Sequence, residues 1–326
     1  MIYEFQHGVI TGAFAPPLAG DLVRLEEAFR RCGHLHIVLT GADRAPSTQM
    51  PWPAPMREAM LRAALGPLAD RADFCHARDH LYRPDLQGGV CDQVRALMPE
   101  DGGGWLGAED LAHPLPESSR AERVRAAFLR DGPEAIAGQV PKAVLEMLRA
   151  YAATPDFNRL REEQLYIDDY KLSWGVAPWP PIFVTCDTLI QYGRHLLLIR
   201  RGGQPGVGLW ALPGGFVEPD ETLLQSAVRE VAEETHLDLT PAHIAEHLVA
   251  SQVFDYPKRS ARGRTITHAF HFRFPEGPLP KVEAADDAAG AHWVAIDDLE
   301  AMHGQMFEDH ADIIEYFRLE AEVKNA

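Results

Sequence analysis

The chain has 326 residues, 46% hydrophobic and 24% charged, with 25 prolines and 26 glycines. At roughly 100–200 residues per domain, that length predicts two domains. Its 31 Lys and Arg against 48 Asp and Glu leave a formal charge of -17, which disfavours nucleic acid and anionic membranes as partners. No apolar run approaches the roughly 18 residues that cross a bilayer. The opening MIYEFQHGVITG lacks the basic and apolar regions of a signal peptide. Cys32, Cys75, Cys91 and Cys186 form no CxxC pair, so neither a disulfide framework nor a zinc knuckle is expected, and a cytoplasmic location fits.

In chain order, His7–Phe14 reads as a buried strand ending in a Gly/Pro turn, followed by helical spacing over Leu18–Cys32. A strand at His34–Thr40, a helix at Ala54–Leu65 and a strand at Ala72–Ala77 come next. A helix at Val90–Met98, a short strand at Gly104–Leu106 and a helix at Arg120–Leu129 close this half. Alternation of strand and helix predicts a parallel sheet with helices on both faces, Rossmann-like, over residues 1–135. Residues 136–178 are charged, aromatic and helical in pattern, a connector ended by Pro178, Pro180 and Pro181. Over 179–326 the strands FVTCDTLI and HLLLIR flank a Tyr192-Gly193 turn. A Gly-rich stretch, a strong helix at Thr222–Thr235, and strands at His247–Phe254, Thr265–Phe274 and His292–Val294 follow. That order predicts a mixed sheet with helices.

The densest chemistry lies in GFVEPDETLLQSAVREVAEETHL, residues 215–237. On a helix, Glu230, Glu233 and Glu234 stand at i, i+3 and i+4, so three carboxylates share one face. Their repulsion calls for a cation, and an all-oxygen donor set without His or Cys selects Mg²⁺ or Mn²⁺. Pro213-Gly214-Gly215 turns tightly before the helix and brings the Gly215 carbonyl toward that metal. Arg229 is placed to pair with Glu221. The plainer alternative, a solvated acidic helix face, does not account for the Gly-Gly turn and the Glu-Arg spacing together. The segment fits G-x5-E-x7-R-E-U-x-E-E-x-G-U and resembles the Nudix hydrolase signature, with His236 in the last glycine slot. That slot is a helix C-cap, where histidine tolerates the left-handed conformation.

Beyond this box, Arg259, Arg262 and Arg264 form a basic island in an acidic half, suited to phosphate or ribose phosphate or else a solvated hairpin loop. Trp210, Phe254 and Tyr256 are candidates to stack a nucleobase, or core residues. Glu308, in MFEDH, is a candidate water-activating base, or plain surface.

The whole chain resembles the bifunctional nicotinamide-mononucleotide adenylyltransferase/Nudix hydrolase family. The resemblance is carried by HLHIVLTGADRAPS, REAMLRAAL, RDHLYRPDL, AATPDFNRLREEQ, APWPPIFVT, GLWALPGGFVEPDET, RGRTITHAF and MFEDH. It implies a nucleotidyltransferase-like Rossmann domain, a helical connector and a Nudix α/β/α sandwich that splits ADP-ribose to AMP and ribose 5-phosphate. It also implies catalytic roles for Glu230, Glu233, Glu234, Arg229 and Glu308, and substrate contacts for the basic island. Homodimerisation is left open. The adenylyltransferase motif G-R-F-x-P-x-H-x-G-H falls on Gly12–Asp21, where Leu18 and Asp21 replace both histidines and Ala13 the arginine. In the second phosphate motif Ser119 and Arg125 remain, while Glu122 takes the threonine slot. Leucine donates no hydrogen bond and aspartate repels phosphate, so transferase activity is expected to be lost. Retained transferase activity and a non-catalytic ADP-ribose sensor are the alternatives.

Overall fold

Four parallel strands, β1 (Phe5–Gly12), β2 (Cys32–Leu39), β3 (Ala72–His76) and β4 (Trp105–Leu106), form a sheet in the order β3-β2-β1-β4. They belong to a computed structural model that describes residues 3–82, 105–106 and 118–325. Alternation along each strand sends successive side chains to opposite faces. Ile10, Leu35, Ile37 and Leu39 pack on Leu25, Ala28 and Phe29 of the helix Ala19–Arg31 and on Leu61 and Leu65 of the helix Ala54–Leu65. The other face carries His7, His34, His36 and Asp73 in register, with Val9, Val38 and Cys75 forming a small apolar patch beside them. The helix expected at Val90–Met98, Cys91 and the glycines Gly88, Gly89 and Gly102–Gly104 lie outside the described residues.

A second core in this unit gathers Trp52, Met60, Val124, Phe128, Leu148 and Leu160. It joins the helices Ser118–Asp131, Lys142–Tyr151 and Pro155–Ser173 to the loop after β2. Arg57, fully buried, donates to the carbonyls of Trp52 (3.0 Å), Thr40 (2.8 Å) and Gly41 (2.9 Å), and to that of Ala13 (2.5 Å). One side chain thereby satisfies the carbonyls where the chain leaves β1 and β2, which no backbone ladder reaches.

The chain divides into two compact units, Met1–His80 with Pro84–Leu165, and Leu81–Arg83 with Tyr166–Ala326. Of the stretch 136–178, residues to Leu165 group with the first unit and those from Tyr166 with the second.

In the second unit a mixed sheet runs β11-β6-β5-β10-β9. Its strands are β5 (Ile182–Tyr192), β6 (His195–Arg201), β9 (Leu248–Phe254), β10 (Arg264–Phe274) and β11 (Ala288–Ala295). β5 and β10 are parallel over eleven residue pairs, and the other neighbours are antiparallel. Two short strands, β7 (Trp210–Ala211) and β8 (Gly214–Phe216), add to β6 and β5. On one face Cys186, Ile190, Leu197, Phe270 and Phe272 bury Val228 and Val231 of the helix Leu223–Thr235. On the other, Leu189, Leu196, Leu198 and Ala269 bury Ile313, Ile314 and Phe317 of the helix His310–Asn325. This is an α/β/α sandwich, the mixed sheet that the element order predicted in the layering that the family resemblance implied. Among the described residues no helix is long and apolar enough to cross a membrane.

Candidate active site

The glutamate helix is fixed at both ends by local chemistry. Thr222 and Gln225 form a reciprocal capping box, the Gln225 amide reaching Thr222 Oγ1 at 3.3 Å and the Thr222 amide reaching Gln225 Oε1 at 2.9 Å. At the far end His236 takes the left-handed conformation, φ 40 and ψ 37, and its amide donates to Ala232 O at 3.1 Å. Histidine in the glycine slot therefore closes the helix in the geometry expected of it.

Between these caps the helix meets β8 at very short range. β8 pairs with β5, Gly215 opposite Cys186 and Gly214 opposite Asp187. A Cβ on Gly215 would lie 2.5 Å from Glu230 Oε1, and one on Gly214 would lie 2.1 Å from Cys186 O. Two glycines are thus required for the strand to pass between β5 and the carboxylates. The Gly214 amide donates to Glu234 Oε2 at 2.9 Å.

Arg229 braces the carboxylates. Its Nε bonds both oxygens of Glu221 at 2.9 and 3.0 Å, and its Nη1 reaches Glu230 at 2.9 Å and Glu233 at 2.7 Å. Glu221 is held in turn by Ser226 Oγ at 2.7 Å. Burial pulls against the Arg229 charge, yet the bonds to Glu233, Glu221 and Glu230 hold its pKa above the usual range.

Glu234 is 2% exposed. Burial, opposed by the Gly214 amide and reinforced by Asp287 and Glu230, pushes its carboxyl up to about 9. Glu230 is also raised, first by burial, with Glu233 and Asp287 adding to the push and Arg229 opposing it. Carboxylates crowded on one buried helix face repel one another unless a cation sits among them. The donors are all oxygen, which fits a hard divalent ion and not a thiophilic one. Glu230, Glu233 and Glu234 are the residues that would hold it, beside the Gly215 backbone.

Asp287, on the segment before β11, escaped the sequence reading. No periodicity marks it, and only its position against Glu234 gives it a role. Arg201 at the end of β6 was missed as well. Burial lowers its pKa, as does Arg262, while Glu308, Asp287 and Glu234 oppose the shift, so these four charged groups surround Arg201. Its guanidinium stands 4.2 Å from the Phe307 ring centroid and donates through Nε to Pro205 O at 2.9 Å.

The basic island separates into different roles. Arg262 faces the site, its guanidinium 5.4 Å from the Phe216 ring centroid and its Nε 3.4 Å from Ser260 Oγ. Arg264 donates to the backbone carbonyl of Asp255 at 2.5 Å. Arg259 is a correction to the expected substrate contact: it is buried, bonding Asp309 at 2.8 and 2.9 Å and approaching Asp187 at 3.4 Å. Phe254 is corrected too. It is 1% exposed, walled in by Tyr82, Tyr316 and Phe317 at 4.7, 5.3 and 5.8 Å between centroids, and offers no face to a base. Trp210 stacks with Arg200 at 3.9 Å and meets His292 edge-on.

Glu308 sits in the left-handed region, φ 44, next to the buried network. Burial raises its carboxyl pKa, with Arg262 and Arg259 opposing. Behind it, Asp309 accepts from Arg259 and from the Tyr82 hydroxyl. His310 Nδ1 accepts the Leu212 amide at 2.9 Å, which leaves its Nε2 proton toward Asp187, 3.8 Å away. The strand-like bridge between Trp210 and Met306 carries this loop alongside β7.

In the first unit the degenerate motif has become structural. Leu18 is 1% exposed in the second core. Asp21 Oδ2 accepts the Leu18 amide at 2.8 Å, capping the helix Ala19–Arg31. Arg125 Nη1 donates to the Ala15 carbonyl at 2.8 Å, and the Ser119 side chain lies outside the described residues.

Comparison with known proteins agrees with this geometry. Residues 184–317 match the NUDIX domain family model. An ADP-ribose pyrophosphatase of Methanocaldococcus jannaschii is 35% identical over 130 residues, covering 39% of this chain and 72% of the relative. The chain belongs to the Nudix family, and its second unit is a Nudix hydrolase domain. The whole chain is similar to a crystal structure of a bifunctional NMN adenylyltransferase/ADP ribose pyrophosphatase from Francisella tularensis, with a TM-score of 0.89 and 28% identity over 97% of this chain and 99% of that one. A second structure of that enzyme, complexed with AMP and a Mn ion, gives a TM-score of 0.87, also at 28% identity and with the same coverage of both chains.

Proposed function

We propose that this Nudix hydrolase cleaves the pyrophosphate of ADP-ribose, or a closely related nucleoside diphosphate derivative, giving AMP and a phosphorylated product. The observation that carries the reading is the convergence of Glu230 and Glu234 on the Gly214-Gly215 strand, with Arg229 tying Glu230 to Glu233 and Glu221. The similarity to two ADP-ribose pyrophosphatases, one over a domain and one over the full chain, supports the substrate class.

We assign the metal position to Glu230, Glu233, Glu234 and the Gly215 carbonyl, with Mg²⁺ or Mn²⁺ as the ion. When bound, such an ion neutralises the pyrophosphate and orients the attacking water. The chain's own residues do the rest. Gly215, lacking a side chain, lets substrate oxygens and Glu230 approach the same point. Arg229 holds Glu221, Glu230 and Glu233 against rotation, so the carboxylates are positioned before substrate arrives. Arg262 and Arg201 supply positive charge beside the carboxylates and suit a diphosphate, with Arg264 at the rim. Glu308, its pKa lifted by burial, is assigned as the proton acceptor for the attacking water. Arg259 positions Glu308 by anchoring the adjacent Asp309.

The first unit is read as a nucleotidyltransferase fold that no longer transfers adenylyl groups. Full-length similarity to a bifunctional enzyme favours retention, but Leu18 is spent in the core and Asp21 on a helix cap. The test is a product assay on the full-length protein with Mg²⁺ or Mn²⁺ and a panel of nucleoside diphosphates, alongside NMN plus ATP. AMP release from ADP-ribose, lost in Glu234→Gln with the circular dichroism spectrum unchanged, is expected. Absence of AMP from every substrate would remove the enzymatic reading and favour a sensor, and NAD synthesis would overturn the reading of Leu18 and Asp21.

A further inference from the structure

The first unit carries a second, chemically different cluster of ligating groups on the sheet face away from its main core. H-x-H on β2 places His34 and His36 two residues apart, so both project from the same face. Parallel pairing sets His7 of β1 beside His34 and Asp73 of β3 beside His36. His34 Nε2 lies 3.0 Å from Asp73 Oδ2, and His36 Nδ1 lies 3.5 Å from the same oxygen. The ligand atoms of His34, His36 and Asp73 all fall within 4.8 Å of one another. A tetrahedral zinc site with bonds of about 2.0–2.1 Å has ligand atoms about 3.3–3.4 Å apart, so small side-chain adjustments suffice.

His7 completes the arrangement from behind. Its Nδ1 is 3.4 Å from His36 Nε2, the ring nitrogen that does not face Asp73. Metal-ligating histidines characteristically use the second ring nitrogen in such a hydrogen bond, which fixes the tautomer. Asp73 is 62% exposed and His34 33% exposed, so the remaining coordination position opens to solvent.

We propose that His34, His36 and Asp73 form a metal site for a borderline divalent ion of the zinc class, with His7 orienting His36. A simple surface ion pair explains the arrangement less well. The three imidazole centroids lie 5.1 to 6.1 Å apart around one carboxylate, and both imidazoles of H-x-H turn a ring nitrogen toward the same Asp73 oxygen, more convergence than a single ion pair uses. The donor set also separates this site from the glutamate cluster: imidazole nitrogen suits Zn²⁺ or Co²⁺, whereas Mg²⁺ prefers oxygen alone.

The test is Zn²⁺ and Co²⁺ titration of the full-length protein in a Glu230→Gln/Glu234→Gln background, which removes competition from the carboxylates. One equivalent of tightly bound Zn²⁺ is expected, with Co²⁺ giving the ligand-field absorption of a low-coordinate nitrogen-ligated ion. His36→Gln and the exposed-site variant Asp73→Asn should each weaken binding at least ~10-fold, the scale of loss seen even for residues that only orient a ligand. Affinity unchanged in Asp73→Asn, or no tight equivalent at all, would overturn the site, and it would do so whether or not the glutamate cluster proves catalytic.

Discussion

The amide of Gly214 donates to Glu234 Oε2 at 2.9 Å, tying strand β8 to the buried end of the glutamate helix. The bond leaves the other oxygen of Glu234 for the space it shares with Glu230 and Asp287. Strand and helix are therefore locked in one register, and the carboxylates inherit that register.

Gly215→Ala tests the lock. Its Cβ would stand 2.5 Å from Glu230 Oε1 and 2.7 Å from the carboxyl carbon, so the carboxylate must move. The Gly215 φ lies outside the left-handed region, so the fold should persist while kcat falls by ~10²-fold, the cost of a displacement near 1 Å. Steady-state kinetics with a circular dichroism control would show it.

Arg259→Met should destabilise the protein by about 3–5 kcal/mol, because Asp309 and Asp187 lose the cation that compensates their burial. Chemical denaturation of the full-length protein measures this. A loss below about 1 kcal/mol would mean that the ion-pair network does not hold the loop bearing Glu308.

His271, 3% exposed on β10, bonds Gln191 at 3.0 Å, and burial, aided by Arg273, lowers its pKa to about 4. A histidine kept neutral in the fold contributes stability that is present above its unfolded value of 6.5 and is lost as pH falls through about 4. Stability should decline between those values by up to about 1.4 kcal/mol per pH unit from this group. In His271→Gln, followed by denaturation across that range, the slope should flatten.

Restoring the first histidine of the transferase motif is also testable. Leu18→His places an imidazole among Trp52 and Phe128 in the core, so a loss of about 1–3 kcal/mol is expected, with no NAD formed from NMN and ATP. Thermal denaturation and product analysis read the two effects separately.

Much of this architecture was legible in the sequence because its cause is local. Apolar strand-like runs placed β1, β2, β5, β6 and β10, and the helix Ala54–Leu65 begins and ends at the expected residues. The glutamate face was legible because i, i+3 and i+4 spacing is a property of the helix itself. Phe254 and Arg259 were misread because an aromatic and an arginine near a site look the same whether they face a ligand or a buried partner. Asp287, Arg201 and the His34–His36–Asp73 cluster were missed because each depends on strand register between segments distant in sequence.

The contact between Tyr82 and Asp309 bears on modularity. Leu81–Arg83 belong to the hydrolase unit although 82 residues of chain separate them from its next segment. Tyr82 donates its hydroxyl to Asp309 and sets its ring edge-on to Phe254, 4.7 Å between centroids. A fragment excised at residue 166 would keep every glutamate of the site, yet it would leave Asp309 short of a donor and bare one side of a core phenylalanine. The hydrolase is thus not a detachable cassette, since a short clasp from early in the chain is part of what it is made of.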